Sequence, residues 1–217
     1  MSVLRFSDKT GFMESINTEK IILASKSPRR KALLEQVGIK LKVSPSNIDE
    51  STISIHNPEE HVKKLSLLKA KHKALSYPES WILGADTIVV IQDEILGKPR
   101  SKTDAIGMLG RLNNCGHKVY TAFCIMNQKK KLMAINAVET KVYFKNLSDN
   151  EILWYVNTGE PFDKAGAYGI QGIGAFLVKQ ISGSYSNVVG LPVCEVVETL
   201  MNLNIIQFKD KGHHANN

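Results

Sequence analysis

Several short stretches of this chain hold charge where a fold has to account for it. The first is ASKSPRRKALLEQVG, residues 24–38. Ser27 is a good helix N-cap, and Pro28 suits the first helical position. Leu33, Leu34 and Val37 supply an apolar face, and Gly38 sits where a left-handed C-terminal cap falls. The helix therefore starts at Pro28, and its first turn carries Arg29, Arg30 and Lys31. That end of the macrodipole is already positive, so each exposed cation there costs ~0.3–1 kcal/mol. A bound anion would reverse the sign. A strand, a Ser-rich turn and a helix N-terminus leave outward N–H groups unpaired, and the arginines would meet phosphate oxygens. The alternative is that they splay into solvent at little cost.

The second stretch is GADT, residues 84–87, where Asp86 interrupts the apolar run WILGADTIVVI. A carboxylate inside a covered strand needs a cation, a metal or strong donors beside it. A structural salt bridge meets that need as well as a metal or a water does. Asp49 and Glu50, in the polar run SNIDESTISIHN, offer further hard-oxygen ligands of the kind Mg²⁺ favours. Lys69, Lys98 in GKP and Lys164 in FDKAG are cations a fold could gather, although each alone reads as a surface lysine. GIQGIG at residues 169–174 is a poor dinucleotide fingerprint, since no strand runs directly into it, but it permits close backbone approach to a ligand. No GxxxxGK[ST] loop and no His-Glu-x-x-His pattern is present, and His56 and His61 are off same-face helical spacing. Phosphate chemistry with Asp, Glu and a metal remains.

The elements that must position these residues follow from periodicity. Residues 21–24 form a short buried strand feeding the first helix, and 40–43 alternate as a second strand. Pro58 opens a long helix to about residue 76, closed by Tyr77-Pro78. WILGADTIVVIQ and ILGK are strands, and residues 101–104 start a helix ending near Asn113-Asn114. HKVYTAFCIMN and LMAINAVETKVYF flank a QKKK turn as an antiparallel hairpin. Ser148 and Glu151 form a capping box for a helix that ends at Gly159. AFLVKQI reads as a strand, and a last helix runs from near Pro192 to about residue 202. Strands alternate with helices but include a hairpin, so the class is α/β with a mixed sheet and flanking helices.

The 217 residues are 43% hydrophobic, enough for one domain or two small lobes. No apolar run approaches the ~20 residues of a membrane span. The first twenty residues lack the apolar core of a signal peptide. A formal charge of +7 suits an anionic partner, though Lys129 to Lys131 and the KDKGHHANN tail read as solvated charge. Cys115, Cys124 and Cys194 are odd in number and widely spaced, and two lie in apolar stretches. They predict reduced core thiols and a cytoplasmic protein.

SxSPRR, GADT followed by LGKP, EPFDKAGAYGIQG and GSYSNVVGLP occur here in that order. Together they resemble the Maf family of nucleoside triphosphate pyrophosphatases over residues 20–204, leaving 1–19 as an N-terminal extension and 205–217 as a polar tail. The resemblance implies two lobes around a cleft, a fold related to inosine triphosphatase, and a homodimer. It implies hydrolysis between the α- and β-phosphates with Mg²⁺, or Mn²⁺ in its place. Matched position by position, it implies phosphate-binding roles for Ser25, Arg29 and Arg30, acidic roles for Glu50 and Asp86, and lysine roles for Lys69, Lys98 and Lys164. Asp86 falls at the proton-acceptor position and would share the metal with Glu50. Where family members often have Glu-Lys-Ala, this chain has Leu68-Lys69-Ala70.

The resemblance further implies that Arg29, Thr87 and Gln171 set substrate choice, in the branch that acts on dTTP and UTP. A glutamine amide offers a donor and an acceptor, which match a carbonyl and the imide N–H of uracil or thymine. Two rivals stand beside this reading. One is an enzyme of the same fold acting on CTP, 7-methyl-GTP or another modified nucleotide. The other is a nucleic-acid-binding regulator of cell division, disfavoured because the aromatics are few and lie mostly in apolar runs.

Overall fold

The protein is described here from a computed structural model covering residues 14–50, 53 and 55–209. Among them β1 (Glu14–Asn17), β2 (Ile21–Leu23), α1 (Pro28–Gln36), β3 (Lys42–Val43) and α2 (Pro58–Ala74) come first. Then follow β4 (Trp81–Ile91), β5 (Glu94–Leu96), α3 (Lys102–Leu112), β6 (Gly116–Asn127) and β7 (Leu132–Phe144). The rest is α4 (Asp149–Asn157), 3₁₀ turns at Glu160–Asp163, Ala165–Ala167 and Gly172–Leu177, β8 (Val178–Ser182), α5 (Tyr185–Val189), α6 (Val193–Asn202) and β9 (Ile206–Lys209). No helix among the described residues is long and apolar enough to cross a membrane.

A seven-stranded mixed sheet in the order β3-β2-β4-β6-β7-β8, with β5 beside β4, forms the centre. β2 runs parallel to β3 and β4, and the remaining pairs are antiparallel. β4 is buried on both faces, which is why its sequence reads as an apolar run without alternation. Its odd residues Leu83 and Ala85 pack with Leu33 and Leu34 of α1 and with Val196 and Leu200 of α6. Val89 and Ile91, further along the same face, enter a second core with Leu109 of α3 and Tyr155 of α4. Ile82, Ile88 and Val90 point to the opposite face, toward α2. Two lobes thus share one sheet.

Gly84 sets how closely α2 approaches. A Cβ built there would lie 2.3 Å from the Ser66 carbonyl oxygen and 2.8 Å from the Ala70 nitrogen. The α2 backbone therefore rests on β4, which puts Lys69, between those two contacts, beside Asp86. Gly84→Ala should push the helix away, at ~1–3 kcal/mol for overpacking. Urea unfolding measures the loss, and the contact between Lys69 and Asp86 should loosen with it.

The structure departs from the sequence expectations at identifiable places. Glu14–Asn17 and Ile206–Lys209, assigned to an extension and a polar tail, pair antiparallel as a two-stranded ribbon, with Ile205 and Ile206 buried. The tail beyond residue 209 lies outside the described residues. The first three residues of the expected AFLVKQI strand, 175–177, belong instead to the 3₁₀ turn Gly172–Leu177 that buries Leu177, so β8 begins only at Val178. The Ser184-capped helix α5 carries no sequence expectation, being only five residues long. Lys40 and Leu41 precede β3 instead of belonging to it. All three cysteines are free, but only Cys124 is buried. Its thiol is pushed up to about 12 by burial. Cys194 falls on the face of α6 opposite buried Val196 and Leu200, and Cys115 sits in the turn before β6.

Candidate active site

The site exists because the sheet opens along one edge of β4. β6 covers the other edge from Ile82 to Val90. On the open side, β2 pairs only with Trp81–Leu83 and β5 only with Val89–Ile91. Residues 84–88 have no strand beside them there among the described residues. A cleft of about 760 Å³ occupies this opening, and ten of the residues singled out in the sequence line it: Ser25, Arg29, Arg30, Glu50, Lys69, Asp86, Thr87, Lys98, Lys164 and Gln171. Asp49 does not line it.

Asp86 and Thr87 adjoin in sequence but project from opposite faces of β4. On the α2 face, Lys69 Nζ donates to Asp86 Oδ1 at 2.6 Å and reaches Glu50 Oε1 at 2.9 Å. Asp86 and Lys69 are buried, while Glu50 is half exposed. The cation that a buried Asp86 required is therefore Lys69. Lys69 is thus held by two carboxylates, with Leu68 beside it in α2.

On the other face, Arg30 is tied to four acceptors. Nε donates to the Gly190 carbonyl (2.7 Å), Nη1 to Ser25 Oγ (3.0 Å) and the Ala85 carbonyl (2.9 Å), and Nη2 to Thr87 Oγ1 (2.9 Å). Burial lowers its pKa, while nearby Asp86 and Glu50 act in the opposite direction. Thr87 Oγ1 also lies 2.9 Å from Thr121 Oγ1 and 3.2 Å from the Gly190 carbonyl. The Thr87 hydroxyl is thus spent on protein partners. Ser25 Oγ accepts from the Ser27 N–H, and Ser27 caps α1 through the Arg30 N–H. The cation at the start of α1 is therefore matched by partners outside that helix: Arg30 donates to two carbonyls and two hydroxyls and keeps one N–H unused. Lys31 is matched by Glu35 at 3.5 Å on its own helix.

Arg29 Nη1 crosses the cleft to Asp163 Oδ2 at 2.7 Å, and Lys164 Nζ meets Asp163 Oδ1 and the Glu160 carbonyl, both at 2.6 Å. Burial pushes the Asp163 carboxyl up, but hydrogen bonds from Lys164 and Arg29 outweigh it and hold it at about 2. Asp163 therefore occupies, with a carboxylate, a place between two cations where phosphate oxygens could lie. Sequence reasoning quoted its motif and passed over its charge; a carboxylate directly before a candidate phosphate lysine was the available signal. Lys98 and Lys26 make no hydrogen bond or ion pair among the described residues. His61, set aside as a metal ligand, also lines the cleft, as does Lys26.

Tyr168 closes the floor of the second lobe. Its hydroxyl lies 2.8 Å from His117 Nε2, and Phe144 stacks edge-on against both rings. Burial lowers the His117 pKa to about 4. The unfolded chain therefore takes up this proton near pH ~6.5 and the folded chain only near pH 4. Stability is full above pH ~6.5 and falls as pH drops through that window, by about 3 kcal/mol from this residue. Urea midpoints between pH 7 and 4 should show a slope that flattens in His117→Asn.

Two carboxylates, Asp86 and Glu50, converge on one point, and no cluster of three or more His, Cys, Asp or Glu able to hold a metal occurs among the described residues. That donor set does not make a protein-only cage. It fits Mg²⁺, which binds through one or two carboxylates and completes its shell with water and substrate phosphates.

Comparison with known proteins gives this geometry its context. Residues 20–203 match the family described as Maf-like protein. A protein of Syntrophus aciditrophicus, named dTTP/UTP pyrophosphatase, is 46% identical over 90% of this chain and 96% of its own length. One of Desulfotalea psychrophila with the same name is 49% identical, covering 86% and 95%. The Staphylococcus aureus Ham1 protein, at 13% identity and a TM-score of 0.50, shares the fold over 86% of this chain and all of its own. With its site motifs gathered into one cleft and its family match spanning nearly all the described residues, the chain belongs to the Maf family.

Proposed function

We propose that this protein hydrolyses dTTP and UTP to the monophosphate and pyrophosphate. One observation carries the reading: an opening in the sheet brings Lys26, Arg29, Arg30, Lys69, Lys98 and Lys164 to the same cleft as Asp86 and Glu50. A triphosphate brings nearly four negative charges, which the cations neutralise and orient. The shared name of relatives nearly half identical over most of their lengths supports the choice of nucleotide.

Arg29 and Lys164 release Asp163 to receive phosphate oxygens, and the unpaired Lys98 adds a third donor. Water attacks the α-phosphorus, the bond from that phosphorus to the bridging oxygen breaks, and pyrophosphate leaves. Asp86 accepts the proton of the attacking water. Glu50 and Asp86 would hold Mg²⁺, which supplies charge neutralisation and a more acidic water when bound. Lys69 keeps the two carboxylates together before substrate arrives. On the opposite side of the opening, Gln171 presents its amide to the base.

A panel of triphosphates with Mg²⁺, scored for pyrophosphate against orthophosphate, tests this reading. The expected result is pyrophosphate as the sole phosphorus leaving group, with dTTP and UTP ahead of CTP, GTP and 7-methyl-GTP. Orthophosphate release, or a purine substrate in first place, contradicts it.

A further inference from the structure

Gln171 lies in GIQGIG, where three of six residues are glycine. Such a segment loses much conformational freedom on folding and has few side chains to anchor it. Gln171 itself is exposed, and its amide makes no hydrogen bond to protein among the described residues. The backbone on both sides of it is nevertheless fastened. The Gly169 N–H donates to Tyr155 Oη at 3.2 Å. The Ile173 N–H donates to Glu160 Oε2 and the Gly174 N–H to Glu160 Oε1, each at 3.0 Å. Tyr155 Oη in turn donates to Glu160 Oε1 at 2.9 Å. The fit at Gly174 is tight, since a Cβ there would lie 2.6 Å from the phenol oxygen.

Neither the Tyr155 nor the Glu160 side chain lines the cleft, and the one link to a phosphate-facing group is the Glu160 backbone carbonyl that Lys164 meets, which side-chain substitution leaves in place. Tyr155 is wholly buried on α4, in the core of the second lobe, and Glu160 follows the left-handed Gly159 that ends that helix. Their three bonds to the segment stand two residues before Gln171 and two and three residues after it. We propose that Glu160 and Tyr155 are positioning residues for base selection, holding the Gln171 amide where it meets a pyrimidine edge. The inference rests on the reading of Gln171 as the base-facing residue.

The chemistry predicts which changes break the clamp. An ionised carboxylate accepts from Tyr155 and both amides. Glutamine is nearly the same shape but has one acceptor oxygen, so its NH₂ must face another donor. Glu160→Gln therefore forces the segment to move. Tyr155→Phe removes both the acceptor for Gly169 and the donor to Glu160.

The test compares kinetics on dTTP, CTP and a deoxyribose 5′-triphosphate that lacks a base. A displacement of about 1 Å in a positioning element can cost up to ~10²-fold. In each variant KM for dTTP should rise about tenfold and the dTTP-over-CTP preference should narrow by a similar factor. Turnover of the base-less triphosphate should stay within about twofold, because its phosphates meet an unaltered site. Amide hydrogen exchange supplies an independent readout: Ile173 and Gly174 should exchange faster in Glu160→Gln.

Equal losses on dTTP and the base-less substrate would make the two residues scaffold only and overturn the inference. So would an unchanged preference despite faster exchange. Gln171→Glu, measured alongside, separates the two levels. If it leaves the substrate ranking unchanged, the base-facing reading has failed. If it alters the ranking while both clamp variants do not, the clamp alone has failed.

Discussion

Asp86→Asn lowers pyrophosphate release from dTTP by at least ~10²-fold, the lower end for general acid–base catalysis. The substitution keeps the shape of the side chain and removes its charge and proton affinity. A structural account of the same residue predicts something different. Asp86 and Lys69 are a buried pair at 2.6 Å, and breaking such a pair costs about 3–5 kcal/mol through the charge left behind. Here Glu50 remains 2.9 Å from Lys69, so part of that cost is absorbed. Measuring kinetics and urea unfolding on Asp86→Asn and on Asp86→Asn combined with Lys69→Met separates the accounts. The double variant should regain stability and remain inactive. Near-wild-type turnover in the single variant removes Asp86 from the mechanism.

Arg30→Lys loses about 3 kcal/mol of stability and ~10²-fold in kcat/KM. The charge is preserved, so the effect is one of geometry. A guanidinium holds five donors in a rigid fork, and four of those here reach Gly190, Ser25, Ala85 and Thr87. These acceptors belong to the cap of α5, the turn after β2, and β4 itself. An ammonium on a flexible stem has three donors at one point and cannot span them. The buried Ala85 and Gly190 carbonyls are the acceptors most exposed to loss, and each unsatisfied group costs about 1–3 kcal/mol. Equilibrium unfolding and dTTP kinetics check both halves. A lysine variant with native stability would show that water replaces the fork, and Arg30 would then lose its place as the tie between α1, α5 and β4.

The cation puzzle of the first helix illustrates how far local pattern carries. Ser27, Pro28 and Gly38 state the helix limits, and α1 follows them. The arginines of the same stretch leave two choices open, an anion at the helix start or solvent. What the fold adds is that Arg30 turns inward to carbonyls and Arg29 outward to Asp163, 134 residues away. No periodicity could assign different partners to two adjacent arginines. The ribbon of β1 and β9 was illegible for the same reason: pairing Glu14 with Lys209 leaves no local signature in either segment.

By itself the sequence determined the helices and strands around the central sheet and the buried carboxylate that needed a cation, a metal or strong donors beside it, and it showed cations of phosphate-binding type in short motifs. Those are consequences of period, capping chemistry and desolvation, all of which act over a few residues. Only the tertiary structure decided that β2 and β5 stop short of each other along β4, which opens the sheet at Asp86 and Thr87. It also decided that Lys69 answers Asp86, through a helix able to approach because residue 84 lacks a side chain. Partner choice between distant residues is a property of packing and strand register, and no window along the chain contains it.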